Sequence, residues 1–96
     1  MLNKDAQLNP KVFEKDVEQL PIRQGFGEGL LEAGKRDKNV VALCADLTES
    51  TKMDAFAKAF PERFVEIGVA EQNLAAVASG MAAMGKIPFI ASYSMF

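Results

Sequence analysis

The spacing of apolar residues along the chain first predicts a helix. In "IRQGFGEGLLEAGKRDK" four apolar residues recur at intervals that place them on one helical face: Ile22, Phe26, Leu30 and Ala33. Gly34 is the expected end of this helix, with Lys35 and Arg36 favourable at its carboxyl end. Glycines at three positions weaken the same helix, and we expect them to permit close packing against another backbone: Gly25, Gly27 and Gly29.

A strand and a second helix follow. The consecutive apolar residues in "NVVALCADL" predict a strand that is buried on both faces and ends at Asp46. After "TEST", the pair Thr51 and Asp54 resembles a capping box at a helix start. The helix is expected to bury an apolar stripe and to stop at Pro61. The stripe consists of Met53, Phe56, Ala57 and Phe60.

The remaining pattern predicts a strand, a helix and a strand. "FVEIGVA" is a short strand, and "EQNLAAVASGMAAMG" is a helix with small residues on nearly every side. Such a helix is expected to be buried and closely packed, and Gly85 ends it. Pro88 suits the first residue of the third strand, "IPFIASY". Strands that alternate with helices predict an α/β fold with a parallel sheet and right-handed helical crossovers.

Residues 1–21 differ from the rest of the chain. They are charged and bracketed by Pro10 and Pro21, which predicts a lead-in arm or linker, although a short helix over residues 12–20 is also compatible with the pattern. The α/β domain is then residues 22–96. Because a three-stranded sheet is marginal alone, we expect either that another chain covers it or that the domain continues in a longer protein.

Composition excludes several classes of partner and site. The formal net charge of −2 gives no basis for binding nucleic acid or an anionic membrane, and no apolar run approaches the roughly 20 residues of a membrane span. Since the chain has no His and one Cys, an internal disulfide is excluded and a zinc site is not expected. That one residue, Cys44, is expected to be a core side chain because it lies in the middle of a strand. The low cysteine count, together with the expected lack of a signal peptide, predicts a reducing, cytoplasmic setting.

Candidate chemistry lies at the carboxyl ends of the predicted strands, where open α/β sheets bind ligands. Glu71 is the most specific candidate. The helix dipole favours its carboxylate, whereas burial against Val69 and Leu74 favours the protonated acid. A carboxyl group under both influences can share a proton with a ligand nitrogen. Spacing alone leaves open that Glu71 caps its own helix turn and faces water.

Other candidates have ordinary structural explanations by spacing alone. Asp46, directly after a buried strand, is a typical turn residue or cap of the next helix. Tyr93 and Phe96 follow the last strand and are typical core or interface aromatics. "GFGEGL" is not a dinucleotide-binding motif, because its third glycine position is Leu30 and no strand precedes it.

Three segments together make the sequence similar to a known family. "ADLTEST" after a buried strand, "FPERFVEIGVAEQN" and "IPFIASYSMF" resemble the pyrimidine-binding domain of transketolase. The similarity is to the amino-terminal part of the carboxyl-terminal subunit in split, two-gene transketolases. "GVAEQN" is shared across thiamine-diphosphate enzymes of this superfamily, and "ADLTEST" with "FPERF" narrows the resemblance to the transketolase group.

The resemblance implies a catalytic role for Glu71. It matches the glutamate of the family's G-[VI]-x-E-[QH] motif, which hydrogen-bonds a ring nitrogen of the cofactor's aminopyrimidine. Proton sharing there prepares the cofactor's own nitrogen to remove the proton from thiazolium C2. The implied activity is transfer of a two-carbon ketol unit between sugar phosphates, a reaction of the pentose phosphate pathway.

The same resemblance implies further binding residues. The aromatic residues that pack on the aminopyrimidine ring are matched by Tyr93 and Phe96. The positions lining the thiazolium side, of which the Asp bonds hydroxyls of the reaction intermediate, are matched by Asp46, Leu47 and Val69. The positions near the substrate phosphate, which a guanidinium and a hydroxyl suit, are matched by Arg23 and Ser50.

Partners are implied as well, because parts of the family's site are absent from this sequence. The metal-binding Gly-Asp-Gly stretch with its later Asn is not present, and neither are the active-site histidines. Thiamine diphosphate is therefore expected between this chain and a diphosphate-binding, amino-terminal transketolase subunit that holds Mg²⁺ or Ca²⁺. A second copy of the present subunit completes the expected assembly. The chain is expected to be the first part of a pyrimidine domain and to be inactive alone.

Two alternatives stay open. A deoxyxylulose-phosphate synthase or the beta subunit of a 2-oxo-acid dehydrogenase shares the glutamate motif, although "ADLTEST" with Arg23 and Ser50 is evidence against both. The other alternative is a fragment that assembles with other chains and binds no cofactor. Its Ala-rich helix would then be an interface surface only.

Overall fold

The computed structural model describes residues 3–95 and contains the predicted alternation of helices and strands. In chain order the elements are α1 (Ile22–Arg36), β1 (Val40–Cys44), α2 (Asp54–Ala59), a 3-10 helix (Pro61–Arg63), β2 (Phe64–Glu66), α3 (Glu71–Ala83) and β3 (Ile87–Ala91). The predicted α/β fold class is confirmed.

The three strands form one parallel sheet in the order β2-β1-β3. Because β1 lies between two neighbours, all 5 of its residues are buried, and its sequence is an uninterrupted apolar run. Cys44 at the end of β1 pairs with Glu66 of β2 and with Ala91 of β3. The three strands therefore end level with one another, and the loops that follow them emerge at one edge of the sheet.

Helices cover both faces of β1. On the face covered by α1 and α2, the buried side chains are Leu30, Val40, Ala42, Cys44, Met53 and Phe56. On the face covered by α3, they are Val41, Leu43, Ala45, Leu74 and Ala78. Because successive residues of a strand point to opposite faces, β1 supplies side chains to both cores. The prediction that Cys44 is a core side chain is confirmed.

The predicted end of α1 is wrong. The helix runs through Gly34 and ends at Arg36. Gly34 is buried under two aromatic rings: a Cβ there would lie 2.6 Å from a ring carbon of Phe56 and 2.9 Å from one of Phe60. The absence of a side chain at this position therefore serves close packing between α1 and α2 rather than the end of the helix.

The predicted apolar face of α1 is wrong at its first position. Ile22 is 93% exposed, whereas Leu30 is buried and Phe26 and Ala33 are partly buried against the core. Ile22 is the first residue of the helix and precedes the part that contacts the core. The apolar face that contributes to folding of the described residues therefore begins at Phe26.

Close backbone packing, predicted for three glycines of α1, occurs within residues 3–95 at Gly27. A Cβ at Gly27 would collide with the carbonyl oxygen of Lys52. Nothing lies within 4 Å of a Cβ placed at Gly25 or Gly29. The three glycines are therefore not equivalent, although the sequence presents them as a regular series.

We expect Gly27→Ala to lower the free energy of unfolding by about 1–3 kcal/mol, because the new methyl group must displace the backbone at Lys52. Gly29→Ala is the matched control, and it should be neutral or raise the free energy of unfolding by up to about 1 kcal/mol, since Ala favours a helix over Gly. Urea denaturation of the two variants measures both effects. Equal effects at the two positions would contradict the contact.

The predicted capping box at the start of α2 is wrong. The N-cap is Met53, and no side-chain hydrogen bond caps the helix. The Thr51 hydroxyl instead donates to the carbonyl oxygen of Leu47 at 2.7 Å, which commits it to the preceding loop. The predicted apolar stripe is present, since Met53 and Phe56 are fully buried and Phe60 packs against them.

α3 is less buried than its composition predicts. Its buried residues are Leu74 and Ala78, so within the described part of the chain one side of the helix meets the sheet and the all-round packing is absent. Gly85 has a φ of 94°, which suits the predicted helix end. Ile90 of β3 is 44% exposed, and the covering of this sheet by further polypeptide stays a prediction. No helix among residues 3–95 is long and apolar enough to cross a membrane.

The segment before α1 contains isolated turns, and the short helix considered for residues 12–20 does not form. Phe13 is 97% exposed, and an ion pair of 3.0 Å joins Lys11 and Asp16. An apolar side chain that finds no partner surface cannot hold a helix onto the domain. The division of the chain at residue 21 into an arm and a domain stays a prediction.

Candidate functional site

The edge of the sheet at which the strands end carries most of the candidate residues. Asp46 follows β1, Gly68 follows β2, and Ser92 follows β3. Since β1 lies between the other two strands, its loop is flanked by both of theirs. The segments predicted at the strand ends are thus brought together, apart from Phe96, which lies outside the described residues.

Glu71 occupies the first residue of α3, directly after the N-cap Ala70. Its Oε1 atom is buried and has no hydrogen-bond partner among the described residues. That oxygen is therefore shielded from solvent and makes no hydrogen bond to the start of its own helix among residues 3–95. A buried acceptor without a partner is costly unless a ligand or another chain supplies one.

The Glu71 cleft is an open cavity of about 370 Å³ at the carboxyl edge of the sheet, and it lies between the start of α3 and the end of β3. It is lined by Glu71, Leu74, Ile90, Ala91, Ser92, Tyr93 and Ser94. Glu71 and Tyr93, which the resemblance assigned to the same ring, thus line the same cleft. The side chains of Leu74 and Ile90 make part of its lining apolar.

Ser92 is a site residue that the sequence analysis missed. Its Oγ atom is buried and, like Oε1 of Glu71, lacks a hydrogen-bond partner among residues 3–95. Both residues line the Glu71 cleft. The available signal was position, since Ser92 is the first residue after β3 and immediately precedes Tyr93. Two residues that line one cleft thus each bury an oxygen whose partner, within residues 3–95, is missing and would have to come from a ligand or another chain.

The Asp46 loop, residues 46–50, borders a second cavity of about 300 Å³. Asp46 is exposed and has a φ of 60°, a left-handed conformation that is uncommon for a residue other than glycine. Leu47 packs partly against the core, and its N–H donates to Sγ of Cys44 at 3.3 Å. Asp46 and Leu47 therefore lie on adjacent parts of one loop, with the carboxylate outward and the apolar side chain inward.

Glu66 is the second residue that the sequence analysis missed. It ends β2 and accepts hydrogen bonds from the N–H groups of Asp46, at 2.8 Å, and Gly68, at 2.7 Å. The Thr48 hydroxyl donates to the other carboxylate oxygen at 3.4 Å. A polar residue at the end of a short strand was the signal. The contacts join the loop after β1 to the loop after β2.

Arg23, Ser50 and Tyr93 meet at one atom, the carbonyl oxygen of Ser50. Nη1 of Arg23 donates to it at 3.3 Å, and the Tyr93 hydroxyl donates at 3.2 Å. The predicted phosphate-binding pair is thus brought together and joined to the predicted ring-binding aromatic. Val69 lies apart from this group: it is 73% exposed and lines neither the Glu71 cleft nor the cavity of the Asp46 loop.

Comparison with known proteins establishes the family. A family model described as the transketolase pyrimidine-binding domain matches residues 18–96. The chain belongs to this family. The resemblance stated from "ADLTEST", "FPERF" and "GVAEQN" is therefore confirmed, and with it membership of a thiamine-diphosphate-dependent family.

Three similar proteins show which members of the family this chain resembles. A Methanocaldococcus jannaschii protein provisionally named a transketolase C-terminal section is 55% identical over 75 residues, covering 78% of this chain and 24% of the relative. A solved structure of a split-gene transketolase, described as an inactive beta4 tetramer, has a TM-score of 0.68 and 49% identity, covering 76% of this chain and 24% of that one. A 1-deoxy-D-xylulose-5-phosphate synthase from Desulfotalea psychrophila is 42% identical over 71 residues, covering 74% of this chain and 11% of the relative. The chain thus spans about a quarter or less of each relative's length.

The residues of the Glu71 cleft fit the aminopyrimidine ring of thiamine diphosphate. Such a ring carries nitrogen atoms and an amino group that can pair with Oε1 of Glu71 and Oγ of Ser92, both of which lack partners among residues 3–95. Tyr93 and Ile90 supply lining on which an aromatic ring can pack. No group of three or more His, Cys, Asp or Glu side chains within residues 3–95 is arranged to hold a metal ion.

Proposed function

We propose that this chain forms the aminopyrimidine-binding wall of a cytoplasmic, thiamine-diphosphate-dependent transketolase that transfers two-carbon ketol units between sugar phosphates. The observation that carries the proposal is that Glu71, whose buried Oε1 has no partner within residues 3–95, lines a cleft that Tyr93 also lines. The relative named a transketolase C-terminal section and the solved split-gene transketolase support the transketolase assignment over other members of the superfamily.

Glu71 is the proposed catalytic residue. Its carboxyl group donates a hydrogen bond to a ring nitrogen of the aminopyrimidine when protonated and accepts one from that nitrogen when the proton has moved across, and burial of Oε1 keeps water from competing for that bond. Thiamine diphosphate, when bound, supplies the carbon nucleophile and the electron sink. The position at the start of α3 adds a favourable helix dipole for the negative charge of Glu71.

The remaining cofactor contacts follow the layout of the two loops. Tyr93, together with Phe96, packs on the aminopyrimidine ring, and Ser92 offers a hydroxyl to a polar group of the same ring. Leu47 is proposed to form an apolar wall toward the thiazolium, and Val69, which is exposed and outside both cavities in this chain, is proposed as a second one. The exposed carboxylate of Asp46 is free of the core and bonds the hydroxyl groups of the sugar portion.

The phosphate end of the substrate is proposed to bind Arg23 and Ser50. Arg23 uses Nη1 to reach the carbonyl oxygen of Ser50, and its guanidinium has further donors for a phosphate. Because Tyr93 donates to the same carbonyl, the phosphate-binding residues and the ring-binding residue are held as one unit.

The proposed partners supply what this chain does not contain. A diphosphate-binding transketolase subunit holds the Mg²⁺ or Ca²⁺ and the diphosphate, and a second copy of the pyrimidine subunit completes the assembly. Residues 22–96 form the first part of the pyrimidine domain, and residues 1–21 are the arm before it. The chain alone is proposed to be inactive.

A second candidate function is that of a deoxyxylulose-phosphate synthase, which the 42% identity to a relative of that name favours. Comparing substrates decides between them. The full-length protein, combined with its diphosphate-binding partner, is expected to transfer ketol units from a ketose phosphate to an aldose phosphate and to leave pyruvate unused. Release of CO₂ from pyruvate with an aldehyde acceptor would overturn the transketolase proposal. If the assembled protein catalyses neither of these reactions, the result favours a fragment that assembles with other chains and binds no cofactor.

A further inference from the structure

The Glu66 carboxylate joins the two loops that border the proposed cofactor site. The same carboxylate oxygen, Oε2, accepts hydrogen bonds from the N–H group of Asp46 at 2.8 Å and from that of Gly68 at 2.7 Å. Oε1 accepts the Thr48 hydroxyl at 3.4 Å. One side chain therefore fixes three groups on two segments that are separated along the chain by α2 and β2.

The Asp46 loop requires such hydrogen bonds because the backbone conformation of Asp46 is unusual for a residue other than glycine. Asp46 has a φ of 60° and Gly68 a φ of 86°, both in the left-handed region. For Asp46 this conformation is unfavourable compared with the alternatives open to a free loop, so it persists where surrounding contacts enforce it. The short bonds from Glu66 act at the N–H groups of these same two residues.

The hydrogen bonds of Glu66 also fix the position of functional groups. Asp46 is followed directly by Leu47, and Gly68 lies three residues before Glu71. When Glu66 accepts both hydrogen bonds, the start of the Asp46 loop and the loop before α3 stay at a fixed distance from each other. Without it, each loop can move independently of the other.

We propose that Glu66 is a positioning residue for thiamine diphosphate, which sets the distance between the Asp46 loop and Glu71 before the cofactor binds. This inference rests on the proposed function for the identity of the ligand. The hydrogen bonds of Glu66 to the two loops are a property of the chain and do not depend on the ligand. Glu66 does not touch the cofactor and acts through the loops it holds.

The test uses the full-length protein with its diphosphate-binding partner. Glu66→Ala is expected to raise the Kd for thiamine diphosphate by about 10-fold or more, because the loops must be ordered on binding. At saturating cofactor the turnover should stay within about 3-fold of wild type, since Glu71 is intact. Glu66→Gln should recover most of the affinity, because its amide oxygen still accepts the two N–H groups. Glu62→Ala, an exposed acidic residue of the 3-10 helix, is the matched control.

Hydrogen exchange at the Asp46 and Gly68 amides, measured without cofactor, provides a readout that is independent of activity. Both amides should exchange faster in Glu66→Ala and remain near wild type in Glu66→Gln and Glu62→Ala. An unchanged Kd in Glu66→Ala, or a Gln variant as weak as the Ala variant, would overturn the inference. A fall in thermal stability with an unchanged Kd would also overturn it. If Glu71→Gln retains turnover, the proposed function fails instead. The exchange rates then still test whether Glu66 holds the two loops together.

Discussion

Glu71→Gln is expected to lower the turnover of the assembled enzyme by about 10²–10⁴-fold, the range in which a positioned acid or base contributes to catalysis. Gln has nearly the shape of Glu but cannot share a proton with a ring nitrogen. Because Oε1 is buried, no water replaces the lost function. The measurement is the initial rate of ketol transfer at saturating thiamine diphosphate, with the full-length subunit and its partner, and with assembly checked by analytical ultracentrifugation.

Two comparison variants make this result specific. Glu62→Gln removes a carboxylate from an exposed position and should leave turnover unchanged. Ser92→Ala removes the other unpaired oxygen of the Glu71 cleft; it should weaken cofactor binding while turnover at saturation stays close to wild type. Wild-type turnover in Glu71→Gln would show that the catalytic assignment is wrong.

Arg63→Met is expected to lower the free energy of unfolding by about 2–4 kcal/mol, because three charged hydrogen bonds and an aromatic contact disappear together. Nη1 of Arg63 donates to the carbonyl oxygens of Asp37 at 3.1 Å and Val40 at 3.3 Å, and Nη2 donates to that of Gly34 at 3.0 Å. Its guanidinium lies 3.8 Å from the centre of the Phe60 ring. The side chain thus ties the end of α1 and the start of β1 to the helical segment before β2.

Arg36→Met is the control for the loss of an arginine. Arg36 forms an exposed ion pair with Glu32 at 3.0 Å within α1, and such pairs contribute less than about 1 kcal/mol. Urea denaturation of both variants compares the two effects. Arg63→Lys should be intermediate, since a lysine keeps the charge but not the planar fork that reaches several carbonyls. If Arg63→Met and Arg36→Met were equally stable, Arg63 would not hold these elements together.

The sequence allowed the motif around Arg63 to be recognised but not explained. The sequence "FPERF" indicated the transketolase group only by resemblance. The structure shows a physical role for two of its residues, because the guanidinium of Arg63 packs on the ring of Phe60. The same holds for the glycines of α1, because helix propensity assigns a similar cost to each glycine in the helix interior, whatever it packs against. Which of them meets another backbone depends on where Lys52 is placed by the fold.

The sequence by itself determined the order of helices and strands, the burial of β1 and the position of Glu71 where a strand gives way to a helix. These are local properties, since periodicity, apolar runs and strand ends are visible within a few residues. The tertiary structure decided which distant groups meet: Glu66 with Asp46 across 20 positions, Arg63 with Gly34 across 29 and Tyr93 with Ser50 across 43. The physical reason is that β1 lies between β2 and β3. That strand order brings the loops after β1, β2 and β3 to one edge of the sheet and places Arg63, which precedes β2, beside the start of β1 at the opposite edge. No local pattern of residues specifies this order.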